Sequence, residues 1–239
     1  MRRKITTPTP IIIPNGRLWL DANNADSIDA TGNNLNKWSC SFGTNNYAEE
    51  LIGVARPQTG IRTQNSLNVI DFDGSSQYLN FSSDTVLNEP YTSFVVSKSD
   101  IGTQTQQYLI GRQSGGVSGT FFVRLLNGKN QQVCRATTQD SITSATNTSG
   151  TQPFVVTSQV KEGEFTKVKH NNNPFQLAYS TLIGANNSPG IPATIAKRPD
   201  QSSSFLDGFI AEIIIYSRVL NNNEVNAILD YLNKKWNIY

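Results

Sequence analysis

Phe205–Trp236 reads FLDGFIAEIIIYSRVLNNNEVNAILDYLNKKW and carries two periodicities in one stretch. Phe209–Tyr216 is apolar at nearly every position. In an extended strand Ile213 and Ile215 fall on one face, and Ile210, Glu212, Ile214 and Tyr216 on the other. A strand apolar on both faces is central and covered twice. Further on, Val225, Ile228, Leu229, Leu232 and Trp236 recur at the spacing of one helix face. Asn221 and Glu224 have capping-box spacing, and Lys234 and Lys235 sit where cations suit the end of the helix dipole. The spacing predicts a single helix over 222–236, its stripe packed on the sheet that holds 209–216. Glu212 then stands in an apolar row. A buried carboxylate needs partners, so it reads as a structural acceptor for loop amides.

Working outward, short apolar runs recur between Gly, Asn, Ser and Pro clusters, the pattern of an all-β domain. Strands are expected at Arg17–Leu20, Val69–Phe72, Tyr78–Phe81, Ser93–Lys98, Gln107–Arg112, Thr120–Leu126 and Gln132–Thr137. Further strands are expected at Phe154–Val160, Phe165–His170 and Thr181–Gly184. Trp38, Cys40 and Phe42 alternate with Ser39 and Ser41 as one more. Asn127-Gly128 and a turn carrying Gly163 mark two hairpins. The Ser and Thr enrichment over Thr137–Thr151 reads as a long surface loop.

The 239 residues suffice for one large sandwich. Only 16% are charged, so Asn, Ser, Thr and Gln supply the polar surface, with 26 Asn. Net charge is +2, and without Arg2, Arg3 and Lys4 the body carries −1. That near-neutrality excludes a nucleic-acid-binding surface, which needs clustered Lys and Arg. No apolar run is long enough to span a bilayer. The apolar run Ile11–Ile13 is too short for a secretion signal, which suggests a chain made in a cytoplasm and not exported by that route. Cys40 and Cys134 make no disulfide framework and read as buried thiols.

Residues 1–14, MRRKITTPTPIIIP, read as an extended arm, because Pro8, Pro10 and Pro14 prevent helix. Its basic head and apolar run make Arg2, Arg3, Lys4, Ile11, Ile12 and Ile13 the candidate partner-binding residues. Residues 15–239 form the sandwich.

Three stretches taken together resemble the concanavalin A-like, laminin-G-like jelly-roll superfamily. They are GRLWLDANNADSI (Gly16–Ile28) followed by Trp38, VIDFDGSSQYLNF (Val69–Phe81), and IGANN (Ile183–Asn187) followed by the closing strand and helix. The resemblance implies an all-β, two-sheet antiparallel jelly roll with one C-terminal α-helix. It does not select a function. Such modules often hold one Ca²⁺ at the sandwich rim. Asp21, Asp26, Asp29, Asp71 and Asp73 are the oxygen donors to weigh for it, against the alternative that Asp21 and Asp73 fix turns. No other cofactor is expected.

No catalytic constellation emerges. His170 is the only histidine and reads as an exposed imidazole at a loop edge. Glycosidases of this jelly roll resemble one another in a Glu-x-Asp-x-x-Glu strand, which this chain lacks. Asp71 with Asp73, and Glu162 with Glu164, share faces without a third carboxylate. Lys161, Lys167 and Lys169 lie near one hairpin and read as a solvated strand face.

The expectation is therefore a non-enzymatic structural or adhesive protein. Its first form is a bacteriophage virion component, a head decoration, head fibre or tail part held in a capsid or tail assembly through the arm and oligomeric there. The alternative is a stand-alone carbohydrate- or protein-binding module, extracellular or at a cell surface, reading glycans with aromatics such as Tyr47, Tyr91 and Phe175.

Overall fold

The computed structural model describes residues 10, 13–87, 90–101, 106–112, 120–127, 129–135, 139–147, 152–161, 164–179, 193–199 and 202–239. The strands in chain order are β1 (Gly16–Asp21), β2 (Ile28–Thr31), β3 (Asn34–Ser39), β4 (Tyr47–Glu49), β5 (Gln58–Gln64), β6 (Leu67–Asp73), β7 (Leu79–Phe81), β8 (Tyr91–Ser99) and β9 (Gln107–Arg112). They continue as β10 (Thr120–Leu126), β11 (Lys129–Arg135), β12 (Gln139–Asn147), β13 (Phe154–Lys161), β14 (Phe165–His170), β15 (Gln176–Tyr179), β16 (Ala193–Ile195) and β17 (Asp207–Tyr216), followed by the helix α1 (Asn222–Trp236).

The pairings are antiparallel and build two layers. In the first, β1, β17, β8, β13, β14 and β15 hydrogen-bond in that order. β6 and then β5 continue along the other half of the β17 edge. The second layer runs β2, β3, β4, β7, β16, β9, β10, β11, β12. Between the layers, Leu18, Leu20, Ile213 and Ile215 meet Leu35, Trp38, Leu79, Ile110 and Val123, all buried. This is the all-β sandwich that the residues predict.

A second apolar layer lies outside the first sheet. Val225, Ile228, Leu229, Leu232 and Trp236 of α1 pack on Phe94, Val96, Phe209, Ala211, Ile214 and Tyr216. The helix spans 222–236 as its spacing predicts, with the full capping box between Asn221 and Glu224. Asn237 ends it in the left-handed conformation, φ 51°. β17 is thus covered on both faces.

One assignment on β17 changes. Ile210 lies in the inner core with Ile213 and Ile215, not beside Glu212. The register against β8 slips between Ile210 and Glu212, a bulge at Ala211 that inverts the alternation. The Ala211 carbonyl, released from the ladder, accepts the Ala22 amide at 3.1 Å. Gly208 has φ 144°, and a Cβ there would overlap the Lys98 carbonyl, so no other residue fits without displacing β8.

Other expectations shift in the same way. Thr137–Thr151 is not one long loop, because β12 runs through it, paired along one side to β11. An edge strand with one partner needs no apolar alternation, so its polar composition hid it. The Trp38 strand ends at Ser39, and Cys40 and Phe42 follow it in a turn. Cys40 is a buried free thiol whose sulfur accepts the Trp19 amide at 3.2 Å. Thr181–Gly184 and Ile183–Asn187 lie outside the described residues, as does the side chain of Cys134.

His170 is 6% exposed, not on a loop edge. It ends β14 on the inner face, its ring 5.6 Å from that of Phe154. Burial depresses its pKa to about 4.

Glu212 fastens the outer layer. Its Oε1 accepts from Trp19 Nε1 at 2.7 Å and from the Tyr231 hydroxyl at 2.9 Å. Its Oε2 accepts from Trp236 Nε1 at 2.6 Å and from Lys235 Nζ at 2.8 Å. Lys235 also reaches Asp21 Oδ2 at 2.6 Å. The carboxylate is a structural acceptor, but its donors are side chains of β1 and α1 instead of loop amides. Burial pushes the Glu212 carboxyl upward, with Lys235 opposing.

Two outcomes follow for stability. Glu212→Ala strands two indoles and a phenol without an acceptor and leaves the Lys235 ammonium to Asp21, and should lower the unfolding free energy in urea by about 3–5 kcal/mol. Glu224→Ala, at the exposed cap, should cost about 1 kcal/mol. For His170, the unfolded chain binds a proton near pH 6.5 and the fold resists it down to about pH 4. Its stabilisation is full above pH 6.5 and is lost on acidification through that window, by up to about 3 kcal/mol. Urea midpoints for wild type and His170→Gln, compared from pH 7 to pH 4, should converge as the pH falls. Subtracting the variant removes the opposite contribution of the upshifted Glu212 and Asp207 carboxyls.

Candidate ligand-binding face

The groups first weighed for chemistry are occupied in holding the fold. Asp73 Oδ1 accepts the amides of Ser75, Ser76 and Gln77 at 2.9, 2.8 and 3.0 Å. Partial burial raises its pKa, but the amides of Ser76, Ser75 and Gln77 outweigh that and hold it well below the usual carboxylate range. Asp71 pairs with Arg62 at 2.9 Å, and Arg62 also binds Asp100. The Asp100 partner, before that of Asp71, drives the guanidinium pKa upward. Glu164 pairs with Lys161 at 2.5 Å, and Glu162 lies outside the described residues. Glu212 is enclosed and His170 is buried, so neither meets a substrate.

The five aspartates weighed for Ca²⁺ do not converge. Asp21 takes the Asn23 amide at 3.0 Å and the Lys235 ammonium. Asp26 sits in the short turn Ala25–Ser27, and Asp29 accepts the Asn36 amide at 3.3 Å. Asp71 and Asp73 are spent as above. Among the described residues no three His, Cys, Asp or Glu side chains draw together.

An open hollow does form on the outer face of the second layer. β3 and β4 pair with Lys37 opposite Glu49, Trp38 opposite Ala48 and Ser39 opposite Tyr47. Trp38 and Ala48 point into the core, so the pleat sends Lys37, Ser39 and Tyr47 outward. The connection 40–46 adds Thr44, Asn45 and Asn46, and together they line about 400 Å³. The Lys37 ammonium lies 3.9 Å over the Tyr47 ring.

The walls are held in place. Asn46 Nδ2 and the Thr44 hydroxyl both donate to the Arg17 carbonyl, at 2.8 and 3.3 Å. The Ser41 amide donates to the Trp19 carbonyl at 2.7 Å, and the Tyr47 amide to Ser82 Oγ at 2.9 Å. By contrast the Lys37 ammonium, the Ser39 hydroxyl, the Asn45 amide and the Tyr47 hydroxyl bond to no other described group. Four unspent polar groups therefore stand on a fixed frame beside an aromatic ring.

The three aromatics weighed as sugar readers part company. Tyr47 lies in the hollow. Tyr91 is fully buried in the inner core, at the start of a strand buried on both faces. Phe175 lies on the opposite outer face, partly buried against the helix layer. Lys169, expected on a solvated face, is only 6% exposed. Lys37, Ser39, Thr44, Asn45 and Asn46 join Tyr47 only where β3 meets β4, since no sequence signal links them.

Of the arm, Arg2, Arg3, Lys4, Ile11 and Ile12 lie outside the described residues. Ile13 is buried in the outer layer, and the Tyr216 hydroxyl donates to the Pro10 carbonyl at 3.0 Å. Burial, first of all, drives the Tyr216 hydroxyl pKa upward. No described helix is long and apolar enough to cross a membrane.

No protein-family model and no curated protein matches the sequence. Solved structures do match by fold. The binding domain of Paraclostridial Mosquitocidal Protein 1 superposes with a TM-score of 0.65 at 12% identity, covering 92% of this chain and 53% of that one. The binding domain of botulinum neurotoxin DC, in complex with rat synaptotagmin II, gives 0.61 at 11%, covering 91% and 52%. The CBM40 of the Ruminococcus gnavus IT-sialidase, bound to α2,3 sialyllactose, gives 0.54 at 15%, covering 67% and 95%. This chain spans about half the length of the toxin binding domains. At these identities the likeness is one of fold: a β-sandwich shared with domains named for binding.

Proposed function

We propose that this chain is a non-catalytic binding module that takes a saccharide in the hollow between β3 and β4. The observation that carries this reading is the set of unspent donors and acceptors, Lys37, Ser39, Asn45 and Tyr47, on a frame pinned to Arg17 and Ser82. A sugar presents alternating hydroxyls and C–H faces. It suits an open, polar hollow with one aromatic better than an apolar ligand does. Rigid walls spare the ordering cost of binding. The CBM40 neighbour, bound to sialyllactose, supports the reading by its fold. Display outside a cell is the setting in which such a module meets glycans.

The test is a broad glycan array followed by calorimetry on any hit. Tyr47→Ala and Asn45→Ala should each weaken binding about tenfold or more, near 1.4 kcal/mol, with unchanged circular dichroism. A blank array, or a hit bound equally by both variants, would refute the proposal.

A second reading keeps the protein in a larger assembly, such as a bacteriophage head or tail, docked through Arg2, Arg3, Lys4, Ile11 and Ile12. It is favoured by the anchoring of Pro10 and Ile13 on the outer layer. Replacing Arg2, Arg3, Lys4, Ile11 and Ile12 by Ala should leave the thermal transition in place and reduce the mass of the oligomer or particle in sedimentation. An unchanged sedimentation profile counts against the arm.

A further inference from the structure

On the other side of the sandwich, β14 presents a different chemistry. Thr166, Val168 and His170 turn inward and are buried. Phe165, Lys167 and Lys169 alternate with them on the outer face. The Lys167 ammonium lies 4.2 Å from the Phe165 ring centroid and 5.5 Å from that of Phe175. The Lys169 ammonium lies 5.2 Å from the same Phe175 ring. Two cations thus gather about one aromatic side chain.

Among the described residues neither lysine has a carboxylate within ion-pair distance, and Glu164 at the hairpin tip is taken by Lys161. Lys169 is only 6% exposed, and Lys167 is partly buried. Burial lowers the pKa of both ammoniums. Taking an ammonium out of water costs hydration, a cost that a bound anion relieves. A separate observation lies alongside. Thr157 of β13 pairs directly with Lys169 on the same face, is fully buried, and its hydroxyl has no hydrogen-bond partner. Two cations on one strand, with ring faces beside them, suit an oxyanion on an apolar-edged body.

We propose that Lys167 and Lys169, flanked by Phe165 and Phe175, form a second site that takes the sulfate or carboxylate group of an acidic saccharide. The choice of a saccharide rests on the proposed function above, and the choice of an anion rests on the lysine pair alone. The site lies on the outer face of the first layer, whereas the Tyr47 hollow lies on that of the second, so the two act separately.

The experiment uses the full chain and one oligosaccharide in three forms: neutral, sulfated and carboxylated. Calorimetry should show at least one anionic form binding wild type about tenfold more tightly than the neutral parent, with the advantage shrinking as salt rises. The advantage should vanish in K167Q/K169Q, return in K167R/K169R, and persist in Tyr47→Ala. Melting curves confirm that each variant is folded. Equal affinity for all three forms, or a preference that survives K167Q/K169Q, overturns this inference and leaves the hollow standing. Anionic binding through the lysines with no binding of the neutral parent supports this site and sinks the hollow. Phosphatidylserine vesicles held through the same lysines more tightly than either anionic saccharide would reassign the pair to a membrane surface and overturn the saccharide assignment.

Discussion

One carboxylate organises the outer half of this protein. Glu212 stands on the central strand among Ile and Val side chains, where an ion without partners would be untenable. Its two oxygens are satisfied by two indoles, a phenol and an ammonium drawn from β1 and α1. Each donor comes from an element that must be docked for the bond to form. The carboxylate therefore couples the first strand, the last strand and the final helix into one cooperative unit. The capping box starts the helix locally, but Glu212 and the apolar stripe decide where it lies. The Ala211 bulge is part of the same device, since it lets β17 send Ile210 inward and still present Glu212 to the helix.

Much of this is legible in the residues. The helix and its stripe follow from spacing, and Gln107–Arg112, Thr120–Leu126 and Phe165–His170 emerge with the bounds their patterns imply, because apolar runs and turn residues delimit them. What is not legible depends on pairing. A single-residue bulge reverses the face of Ile210, and nothing in the composition of Phe209–Tyr216 announces it. β2, β4 and β16 have three or four residues, too short for a period to show. His170 looks like a loop-edge residue in sequence and Tyr91 precedes the expected strand Ser93–Lys98, yet both lie in strands that neighbouring strands cover. The candidate site is harder still. Tyr47 is visible as an aromatic among asparagines, but Lys37 and Ser39 join it only through the antiparallel register of β3 with β4.

The architecture also separates duties. Among the described residues the inner core and the helix layer take most of the large apolar side chains, and no α-helix lies on one outer face. That face belongs to the second layer and carries the polar hollow. The face covered by the helix remains open toward β14, where the lysine pair lies. A sandwich clad on one side in this way offers two chemically distinct surfaces facing apart.

The placement of the indoles has a spectroscopic meaning. Trp38 and Trp236 are fully shielded and Trp19 is half covered, and two of these three chromophores share the same acidic acceptor. Lifting the C-terminal segment would hydrate Trp19 and Trp236 together while leaving Trp38 dry. Intrinsic fluorescence of the unlabelled chain thus separates detachment of the outer cladding from melting of the interior, two events that a single far-ultraviolet signal would merge.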